Sequence, residues 1–468
     1  MKKIFSALTF LAMLLLYGPA GAVHADPAAF TITTFETGKQ PIRLIHVAET
    51  GDDVTGDGSS SKPYASLERA AQDVTPGAAI RIHAGTYAGG SYLENLEGTA
   101  AAPIWIGGVE GETRPVIEGG GEGIHLVGAR YVIVHNLEVR ITDTNGINSD
   151  DGGEYANAEA AQYQIFRNLY IHHVGGTGNQ DCLKLSGVND YFVLDSEFAF
   201  CGGELSGSGI DHVGCHHGLI SGNYLHNMSA NAIQVKGGSE DILIYANDML
   251  NCGERALNIG GSTDFAYFRP PLSTTQPNYE ARNIRVIANM IEGSVTPLAF
   301  VGAVDSLAAN NTLVNPTDWL MRILQETITS GGYEFQACGN NTVVNNLLYF
   351  NRADLATQDI NIGPDTAPDT FTFSNNLWYA HDDPAQSEPD LPVLETNGIV
   401  GQDPLLVNPS TKNYHLQTGS PASGSGIKVA GVEYDYEGIR YNDPPSIGAF
   451  EGNPPVNVYQ LYLPVVKR

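Results

Sequence analysis

The chain is poor in several kinds of residue, and each shortage excludes a class of protein. Only 24 lysines and arginines stand against 52 aspartates and glutamates, so the formal net charge at neutral pH is −28. A surface this acidic repels the phosphates of nucleic acids and of anionic lipids, and we expect no nucleic acid among its partners. Beyond residue 17, no apolar run is long enough to cross a bilayer, so we expect no membrane span.

Cysteine is equally scarce. The five cysteines leave at least one thiol unpaired, and their spacing matches no metal-binding motif. Cys201 and Cys252 are expected at equivalent positions two structural repeats apart. Two strand spacings of about 4.8 Å exceed the roughly 7 Å between Cα atoms that a disulfide permits. We therefore predict that these two cysteines are small core residues.

Residues 1–25 have the pattern of a cleavable secretory signal. Lys2 and Lys3 precede an apolar run over residues 4–17, and small residues follow it. The mature chain is expected to begin near Asp26, and no cysteine follows the apolar run to carry a lipid. We expect a secreted, extracellular protein that is soluble and monomeric after export, with association to the cell surface as an alternative.

The most informative feature is an asparagine that recurs after short apolar runs. Its intervals range from 22 to 42 residues, and a variable period of this length is typical of stacked structural repeats with inserted loops. An asparagine at the same corner of every coil can donate one hydrogen bond and accept another along the axis. The pattern predicts a parallel β-helix, a solenoid of short strands. The series consists of Asn136, Asn168, Asn223, Asn247, Asn289, Asn311, Asn346 and Asn376, with Ser196 in the missing place.

A short segment before the coils has helical spacing. Leu67, Ala70 and Ala71 fall on one face, and Ser66 stands at the expected N-cap. A single short helix in front of a β solenoid is typical of a cap, because an open end exposes unpaired strand edges. We predict one β-helix domain over residues 26–453, with an N-cap at about 42–90, coils at about 90–400, a closing segment at about 400–453, and then a tail over 454–468.

Short motifs at both ends of the chain carry a resemblance to a known family. Gly51-Asp52-Asp53 and Gly85-Thr86-Tyr87 stand near the start, and Ile447-Gly448-Ala449-Phe450-Glu451 near the end. Together with the asparagine series, they resemble the right-handed parallel β-helix proteins of the pectate-lyase-like superfamily. The resemblance implies an all-β fold, a right-handed parallel β-helix with a short N-terminal capping α-helix. Its members include uronate lyases, hydrolases, epimerases and adhesins, so the fold alone does not name the reaction.

Aligning the coils predicts a polar and cationic stripe on one outer face. An inward column would consist of Leu185, Val213, Val235 and Ile259. Strands about 4.8 Å apart then place the neighbouring side chains on one continuous face. A slip of one residue would reverse the direction of every side chain in a strand. The predicted stripe contains Lys184, His212, Gln234 and Asn258 just before the column, Asp181, Gly209, Asn231 and Arg255 four residues before it, and Lys236 just after it.

A stripe of this kind suits β-elimination on a uronic-acid polysaccharide. The charge of the sugar carboxylate must be neutralised before a base can remove the neighbouring proton. Neighbouring cations are expected to lower the pKa of a lysine base. Trp319 and Arg322 lie further on, where an aromatic ring beside an arginine can stack on a sugar. Candidate catalytic residues are Lys184, His212, Lys236 and Arg255, and candidate substrate-binding residues are Asn231, Gln234, Asn258 and Arg322.

One loop suggests a cation. Asp150-Asp151-Gly152 resembles the Asp-Asp-Gly loop that binds Ca²⁺ in some pectate lyases, where a downstream lysine serves as the base. Paired carboxylates suit Ca²⁺, and we predict Asp150, Asp151 and Asp181 as its ligands, joined by Asp211 if loops fold back. The sequence Asp-Asp-Gly is also common in turns that bind no metal.

Three alternatives to a lyase remain open. C5-epimerisation shares the step of proton abstraction. Inverting hydrolysis by paired acids has only an Asp-Asp pair in its favour. A non-catalytic protein would bind an acidic polysaccharide in the same groove without turnover. The aromatic residues Phe265, Tyr267 and Phe268 can either stack on sugar rings or pack against the flank of the solenoid.

Overall fold

The computed structural model describes residues 32–176, 178–203 and 206–452. The predicted signal and the C-terminal tail lie outside the described residues. Within the described residues, three parallel sheets of 14, 10 and 12 strands run along one axis, and each strand pairs with its counterpart in the next coil. We call them sheet A, sheet B and sheet C in that order, and each coil passes from A to C to B. The prediction of a parallel β-helix is confirmed.

The strands of the three sheets are short, as the spacing of the repeats requires. Sheet A contains Arg43–Val47, Ala78–Ile82, Ile104–Gly108, Arg130–His135, Ala161–Arg167, Val188–Leu194, His216–Ser221, Ser239–Tyr245, Ala281–Arg282, Arg285–Ile287, Ala303–Val304, Leu307–Ala309, Thr342–Val344 and Thr372–Ser374. Sheet B contains Ser91–Glu94, Ile124–Val127, Ile147–Asp150, Leu183–Ser186, Ser208–Val213, Asn231–Lys236, Arg255–Gly260, Thr296–Val301, Met321–Leu324 and Ile360–Ile362. Sheet C contains Thr86–Ala88, Val116–Glu118, Glu138–Arg140, Tyr170–Val174, Glu197–Cys201, Tyr224–His226, Asp248–Leu250, Met290–Glu292, Thr312–Val314, Leu347–Phe350, Leu377–Ala380 and Ile399–Val400.

The remaining elements are few in the described part of the chain. An α-helix, Leu67–Ala71, begins after Ser66, whose hydroxyl accepts a hydrogen bond from the amide of Arg69. The strands Leu406–Asn408 and Asn413–Leu416 form an antiparallel hairpin. None of the described helices is long and apolar enough to cross a membrane. Single turns of 3₁₀ helix occur at Phe265–Tyr267, Arg352–Asp354, Pro368–Thr370, Pro384–Gln386 and Pro409–Thr411.

One apolar core fills the interior of the solenoid. Side chains alternate in and out along each strand, so every coil places a few apolar side chains over those of the coil before it. Leu185, Val235 and Ile259 form one such inward column in sheet B, and all three are fully buried. Each buried aliphatic side chain of this kind contributes about 2 kcal/mol to the free energy of unfolding.

The asparagine series forms a hydrogen-bonded ladder at the corner between sheets A and C. The side-chain amide of Asn247 donates to Asn289 Oδ1 at 3.0 Å, and Asn289 donates in turn to Asn311 at 3.0 Å. The same links join Asn223 to Asn247 and continue through Asn311 and Asn346 to Asn376, which donates to a carboxylate oxygen of Glu395. All of these asparagines are buried.

The first two members of the predicted series do not belong to this ladder. Asn136 and Asn168 have positive φ values of 53° and 52° and lie one position before the ladder, where the backbone bends. The ladder positions of these coils hold the buried residues Leu137 and Leu169. The two asparagines bond to each other outside the core at 3.2 Å. Asparagine is common at such bends because it tolerates positive φ, so one residue type marks two adjacent positions here.

Cys201 is buried in the core, as predicted, but it also belongs to a disulfide that sequence analysis did not anticipate. Cys201 forms a disulfide with Cys182, with 5.5 Å between the Cα atoms. Cys182 precedes a strand of sheet B, and Cys201 ends a strand of sheet C in the next coil, so the bridge joins adjacent coils. A separation of one coil satisfies the geometric limit that two coils exceed. Cys252 is a buried free thiol, as predicted.

Candidate active-site groove

The candidate site is a cleft of about 670 Å³ on the outer face of sheet B. Its floor consists of the outward side chains of the sheet, and its sides are the loops that enter and leave the strands. The entering loops bring Asn145 and Asn179, and the leaving loops bring Tyr155, Tyr267 and Arg269. The cleft therefore has a charged floor and one aromatic side.

Strand pairing defines which predicted residues share the floor. Residues that pair between neighbouring strands of sheet B form columns along the axis, with about 4.8 Å between one coil and the next. Lys236 belongs to a second outward column, two residues further along the strands, with Asp150 and Ser186. The first column consists of Tyr92, His125, Asn148, Lys184, Asp211, Gln234, Asn258, Ala299, Arg322 and Asn361.

The predicted register is wrong by one residue in the strand Ser208–Val213. His212 pairs with Leu185 and Val235 and therefore belongs to the inward column. Ile210 and Val213 are three residues apart, so they cannot both point inward, and Ile210 occupies the core while Val213 lines the cleft.

The inward position gives His212 a structural environment. It is fully buried, its Nδ1 lies 2.9 Å from the carbonyl oxygen of Gln234, and its ring lies 5.4 Å from that of Tyr191. Burial lowers the pKa of His212 to about 4, so the ring is neutral at physiological pH. His212 does not contact the cleft and is not available as a catalytic base there.

The floor holds a compact cluster of two lysines and two aspartates. Lys184 Nζ lies 3.1 Å from Asp181 Oδ2 and also pairs with Asp211 Oδ2. Lys236 Nζ lies 3.6 Å from Asp211 Oδ1 and 3.4 Å from Gln234 Oε1. Both carboxylates are fully buried. Lys184 is partly exposed and Lys236 is mostly buried, and both line the cleft. Asp211 thus anchors two ammonium groups at the floor of the cleft.

The expected lowering of the lysine pKa is wrong for Lys184. Burial alone would lower its pKa, but the charges of Asp211 and Asp181 outweigh burial and raise the pKa above its ordinary value. Burial would raise the pKa of Asp211, yet Lys184 and Lys236 lower it to about 2. Lys184 therefore stays an ammonium at physiological pH, and it supplies fixed positive charge to the cleft rather than a site for a proton.

The three predicted calcium ligands do not form one ligand set. Asp150 pairs with His125, Asp151 with Arg269, and Asp181 with Lys184. Each carboxylate thus has a cationic partner of its own in the structure. Within the described residues, no three His, Cys, Asp or Glu side chains lie close enough to hold a metal ion together.

Sequence analysis missed His125, which lies on the floor beside the lysine cluster. Its Nε2 lies 2.7 Å from Asp150 Oδ2, and its Nδ1 lies 2.9 Å from Glu122 Oε2. The hydrogen bonds to Asp150 and Glu122 outweigh burial and raise the pKa of His125 to about 9. Tyr92 packs edge-on against the ring at 5.0 Å. Only the register between coils brings these residues together, so no local motif marks them.

An ion pair between two loops forms the aromatic side of the cleft. Arg269 donates to both oxygens of Asp151, at 2.8 and 3.0 Å, and both residues are buried. The guanidinium lies 4.2 Å from the ring centroid of Tyr155. Tyr155 in turn packs against Tyr267 at 6.4 Å, and about half of Tyr267 is exposed. The two loops therefore present two tyrosines to the cleft.

Sequence analysis left two roles open for the aromatic side chains of the loop over residues 262–279, namely stacking on sugars or packing against the solenoid, and the structure shows both positions. Tyr267 lines the cleft. Phe268 is buried and packs on Phe335 at 5.5 Å, and Phe265 stacks on the same ring at 5.6 Å. One tyrosine thus faces the site, while the two phenylalanines hold the loop against the flank of the solenoid.

Glu280 supports this loop from inside the protein. It is fully buried and accepts hydrogen bonds from the amide of Gly237 at 2.8 Å and from the amide and hydroxyl of Thr263 at 2.9 and 2.8 Å. The hydroxyl of Thr327 also donates to it. Burial raises the pKa of Glu280, against these hydrogen bonds. Glu280 links the turn after Lys236 to the loop that carries Tyr267.

The remaining predicted residues lie further along the same face. Arg255 pairs with Glu326 at 2.6 Å and lies 3.4 Å from Asn258 Oδ1. Asn231 donates to the hydroxyl of Ser208 at 3.2 Å. Arg322 packs on Trp319, with 4.4 Å between the guanidinium carbon and the ring centroid.

Comparison with known proteins identifies the fold. No family model and no characterised protein matches the sequence. Among solved structures, the pectate lyase Pel9A is 16% identical, with a TM-score of 0.51 over 89% of this chain and 98% of that one. The GH136 lacto-N-biosidase from Eubacterium ramulus is 13% identical, with a TM-score of 0.52 over 71% and 67%. A glycoside hydrolase is 11% identical, with a TM-score of 0.52 over 73% and 97%. The chain therefore shares the parallel β-helix fold of these structures.

Proposed function

We propose that the protein is a lyase that cleaves a uronic-acid-containing polysaccharide in the sheet B cleft by β-elimination. The observation that carries this proposal is the pair Lys184 and Lys236, which share the buried Asp211 at the floor of the cleft. The two aspartates of the cluster are buried, whereas both lysine side chains line the cleft, so a sugar carboxylate in the cleft would meet the lysines first. The tyrosines on one side of the cleft suit stacking on sugar rings.

The two lysines have different parts in the proposed reaction. Lys184 stays charged and neutralises the uronate carboxylate, which stabilises the negative charge that develops next to it. Lys236, as the neutral amine, takes the proton from the carbon beside the carboxylate. The electron pair of that bond forms a double bond in the ring, the glycosidic bond breaks, and the leaving oxygen takes a proton from water. Only a neutral amine accepts a proton, so the proposed role requires Lys236 to react as the amine.

The first prediction is that Lys236→Ala abolishes turnover. We expect purified protein to release an unsaturated uronate from one polymer among polygalacturonate, alginate and chondroitin sulfate, and Lys236→Ala to lower the rate by about a hundredfold or more. The increase in ultraviolet absorbance of the unsaturated product measures the reaction. Lys428→Ala is the matched control, because Lys428 is exposed and its partner among the described residues is Asp443. Full activity in Lys236→Ala would contradict its role as the base.

Calcium remains a separate proposal, tested in the same assay. Because each predicted ligand has a cationic partner, binding of Ca²⁺ would require Asp150, Asp151 or Asp181 to exchange that partner for the ion. Loss of activity with a chelator, restored by added Ca²⁺ alone, would support a calcium site. Equal rates with and without the chelator would argue against it.

Glycoside hydrolysis is the second candidate function. The carboxylates of Glu94, Asp150 and Asp264 line the cleft, and hydrolysis uses a pair of such groups. Two of the three structures compared above are named as glycosidases. New reducing ends without an unsaturated product, together with their loss in Asp150→Asn, would favour hydrolysis over elimination. Binding of a polymer without any product would favour a non-catalytic protein.

A further inference from the structure

The outer face of sheet B continues beyond the cleft to Arg322, which packs on Trp319. Arg322 lies in the same outward column as Gln234, separated from it by the strands of Asn258 and Ala299. Three strand spacings of about 4.8 Å place it about 14 Å from Gln234 along the axis. Asn361 follows Arg322 in the column and accepts a hydrogen bond from its Nε at 3.0 Å.

Arg322 lies near carboxylates but forms no close ion pair with any of them in the described structure. Its guanidinium forms no ion pair with a described carboxylate, and its Nε is the one nitrogen with an acceptor there. Neighbouring Arg255, by contrast, is paired with Glu326. Burial and the charge of Arg255 lower the pKa of Arg322. They outweigh the carboxylates of Glu326, Glu254 and Asp318, which raise it. An anion beside Arg322 would relieve this repulsion and occupy its two free terminal nitrogens.

The orientation of Arg322 is already fixed. Its guanidinium lies 4.4 Å from the ring centroid of Trp319, and the bond to Asn361 holds the other edge. A planar fork with its Nε occupied presents the two terminal nitrogens together, which matches the two oxygens of a carboxylate or sulfate. Little side-chain entropy is lost on binding, because the stack and the hydrogen bond restrict the arginine beforehand.

We propose that Arg322 and Trp319 form a distal anion subsite that binds a carboxylate or sulfate substituent of the polymer, several sugar units from Lys236. The inference rests on the proposed function only in that the sheet B face binds an acidic polysaccharide; it does not require Lys236 to act as a base. It implies that the protein prefers long polyanionic chains to short fragments. A saccharide that cannot span about 14 Å would engage the cleft or the subsite, but not both.

The test measures affinity by titration calorimetry in the full chain. Lys236→Ala is the background, so that the polymer is not consumed, and polygalacturonate, alginate and chondroitin sulfate are the probes. We expect Arg322→Gln to weaken binding of the preferred polymer about tenfold, and to leave the affinity for its disaccharide unchanged. Arg322→Lys should recover part of the loss, because it keeps the charge without the planar fork. A response with polygalacturonate or alginate identifies a carboxylate as the ligand. A response with chondroitin sulfate that is lost with its desulfated form identifies a sulfate.

A matched variant separates the subsite from general effects. Arg282 also stacks on an aromatic ring, at 4.3 Å from Tyr279, but it pairs with Glu240 on sheet A. Arg282→Gln should therefore bind the polymer as the background does. Unchanged polymer affinity in Arg322→Gln would overturn the subsite, as would equal losses for polymer and disaccharide. Arg322-dependent binding in a protein that releases no unsaturated product would refute the lyase and leave the subsite standing. Absence of binding to all three polymers would refute both.

Discussion

At neutral pH His125 carries a positive charge, because Asp150 and Glu122 flank its two ring nitrogens. The unperturbed pKa of histidine is about 6.5, and these partners raise the pKa of His125 to about 9. The folded state therefore holds a proton that the unfolded chain releases between these two values. Its contribution to stability is fully present below about pH 6.5 and is lost as the pH rises through about 9.

We predict that His125→Gln destabilises the protein at acidic and neutral pH but much less above pH 9. The lost contribution is on the order of 3 kcal/mol at most, from the difference between the two pKa values. Chemical denaturation of wild type and variant at about pH 6 and about pH 10 measures it. His217→Gln is the matched control, because the side chain of His217 is mostly exposed and its carboxylate contacts are long, at 3.6 and 3.7 Å. A difference that stays constant with pH would contradict the assigned charge.

Side-chain direction determines which site residues sequence analysis identified. In the strands of Lys184 and Gln234 the apolar residues alternate regularly, so the outward positions are legible from the sequence. In the strand of His212, Ile210 and Val213 give conflicting evidence, and the choice of Val213 as an inward residue moved the whole strand by one position. His125 was missed for another reason. Its partner Asp150 lies one coil away, and the contact with Glu122 alone does not mark a site.

At the scale of elements, the aromatic side of the cleft depends on one buried ion pair. Arg269, in the loop over residues 262–279, binds Asp151, which follows the strand Ile147–Asp150 and lies 118 residues away in the sequence. The sequence contains both residues but no sign that they meet, because long loops carry no periodic pattern. Glu280 holds the other end of the same loop through the two hydrogen bonds of Thr263.

We predict that Asp151→Asn loosens this loop and weakens substrate binding. Removing one partner leaves the buried charge of Arg269 uncompensated, at a cost of about 3 kcal/mol. Hydrogen exchange should increase over residues 262–279, and KM should rise more than kcat falls, because Tyr155 and Tyr267 lose their positions. Asp143→Asn is the control, since Asp143 is exposed in an entering loop. Unchanged exchange in the Asp151 variant would show that the phenylalanines on Phe335 and the hydrogen bonds to Glu280 are sufficient to hold the loop.

At the scale of the molecule, the sequence predicts the fold far better than it predicts the site. Each coil repeats the same corner, so the asparagine at that corner recurs and predicts the solenoid before any strand is placed. The disulfide between Cys182 and Cys201 and the pairing of loops across coils depend on three-dimensional neighbours without a repeat. The outward face has no repeated requirement either, so the partners of each charged side chain there have no periodic pattern in the sequence.

The ladder also transmits order along the axis. Asn289 accepts from both the side chain and the backbone amide of Asn247, at 3.0 and 2.9 Å, and donates to Asn311 and to the carbonyl oxygens of Ile244 and Ile287. Each coil is thereby bonded to the coils before and after it at a position that water does not reach. In a solenoid, stability depends on such interfaces between neighbouring coils.

We predict that Asn289→Ala destabilises the whole solenoid by roughly 2–4 kcal/mol. The substitution removes the acceptor of the buried backbone amide of Asn247, one acceptor of its side-chain amide, and one donor to each of two carbonyl oxygens. An unsatisfied buried group costs more than its hydrogen bond contributes. The denaturation midpoint should fall while the circular dichroism of the native state stays unchanged. Asn179→Ala, at an exposed position beside the cleft, should leave the midpoint where it is. A loss below about 0.5 kcal/mol in the Asn289 variant would mean that the apolar core and the pairing of the strands join the coils, and that the asparagine ladder adds little stability.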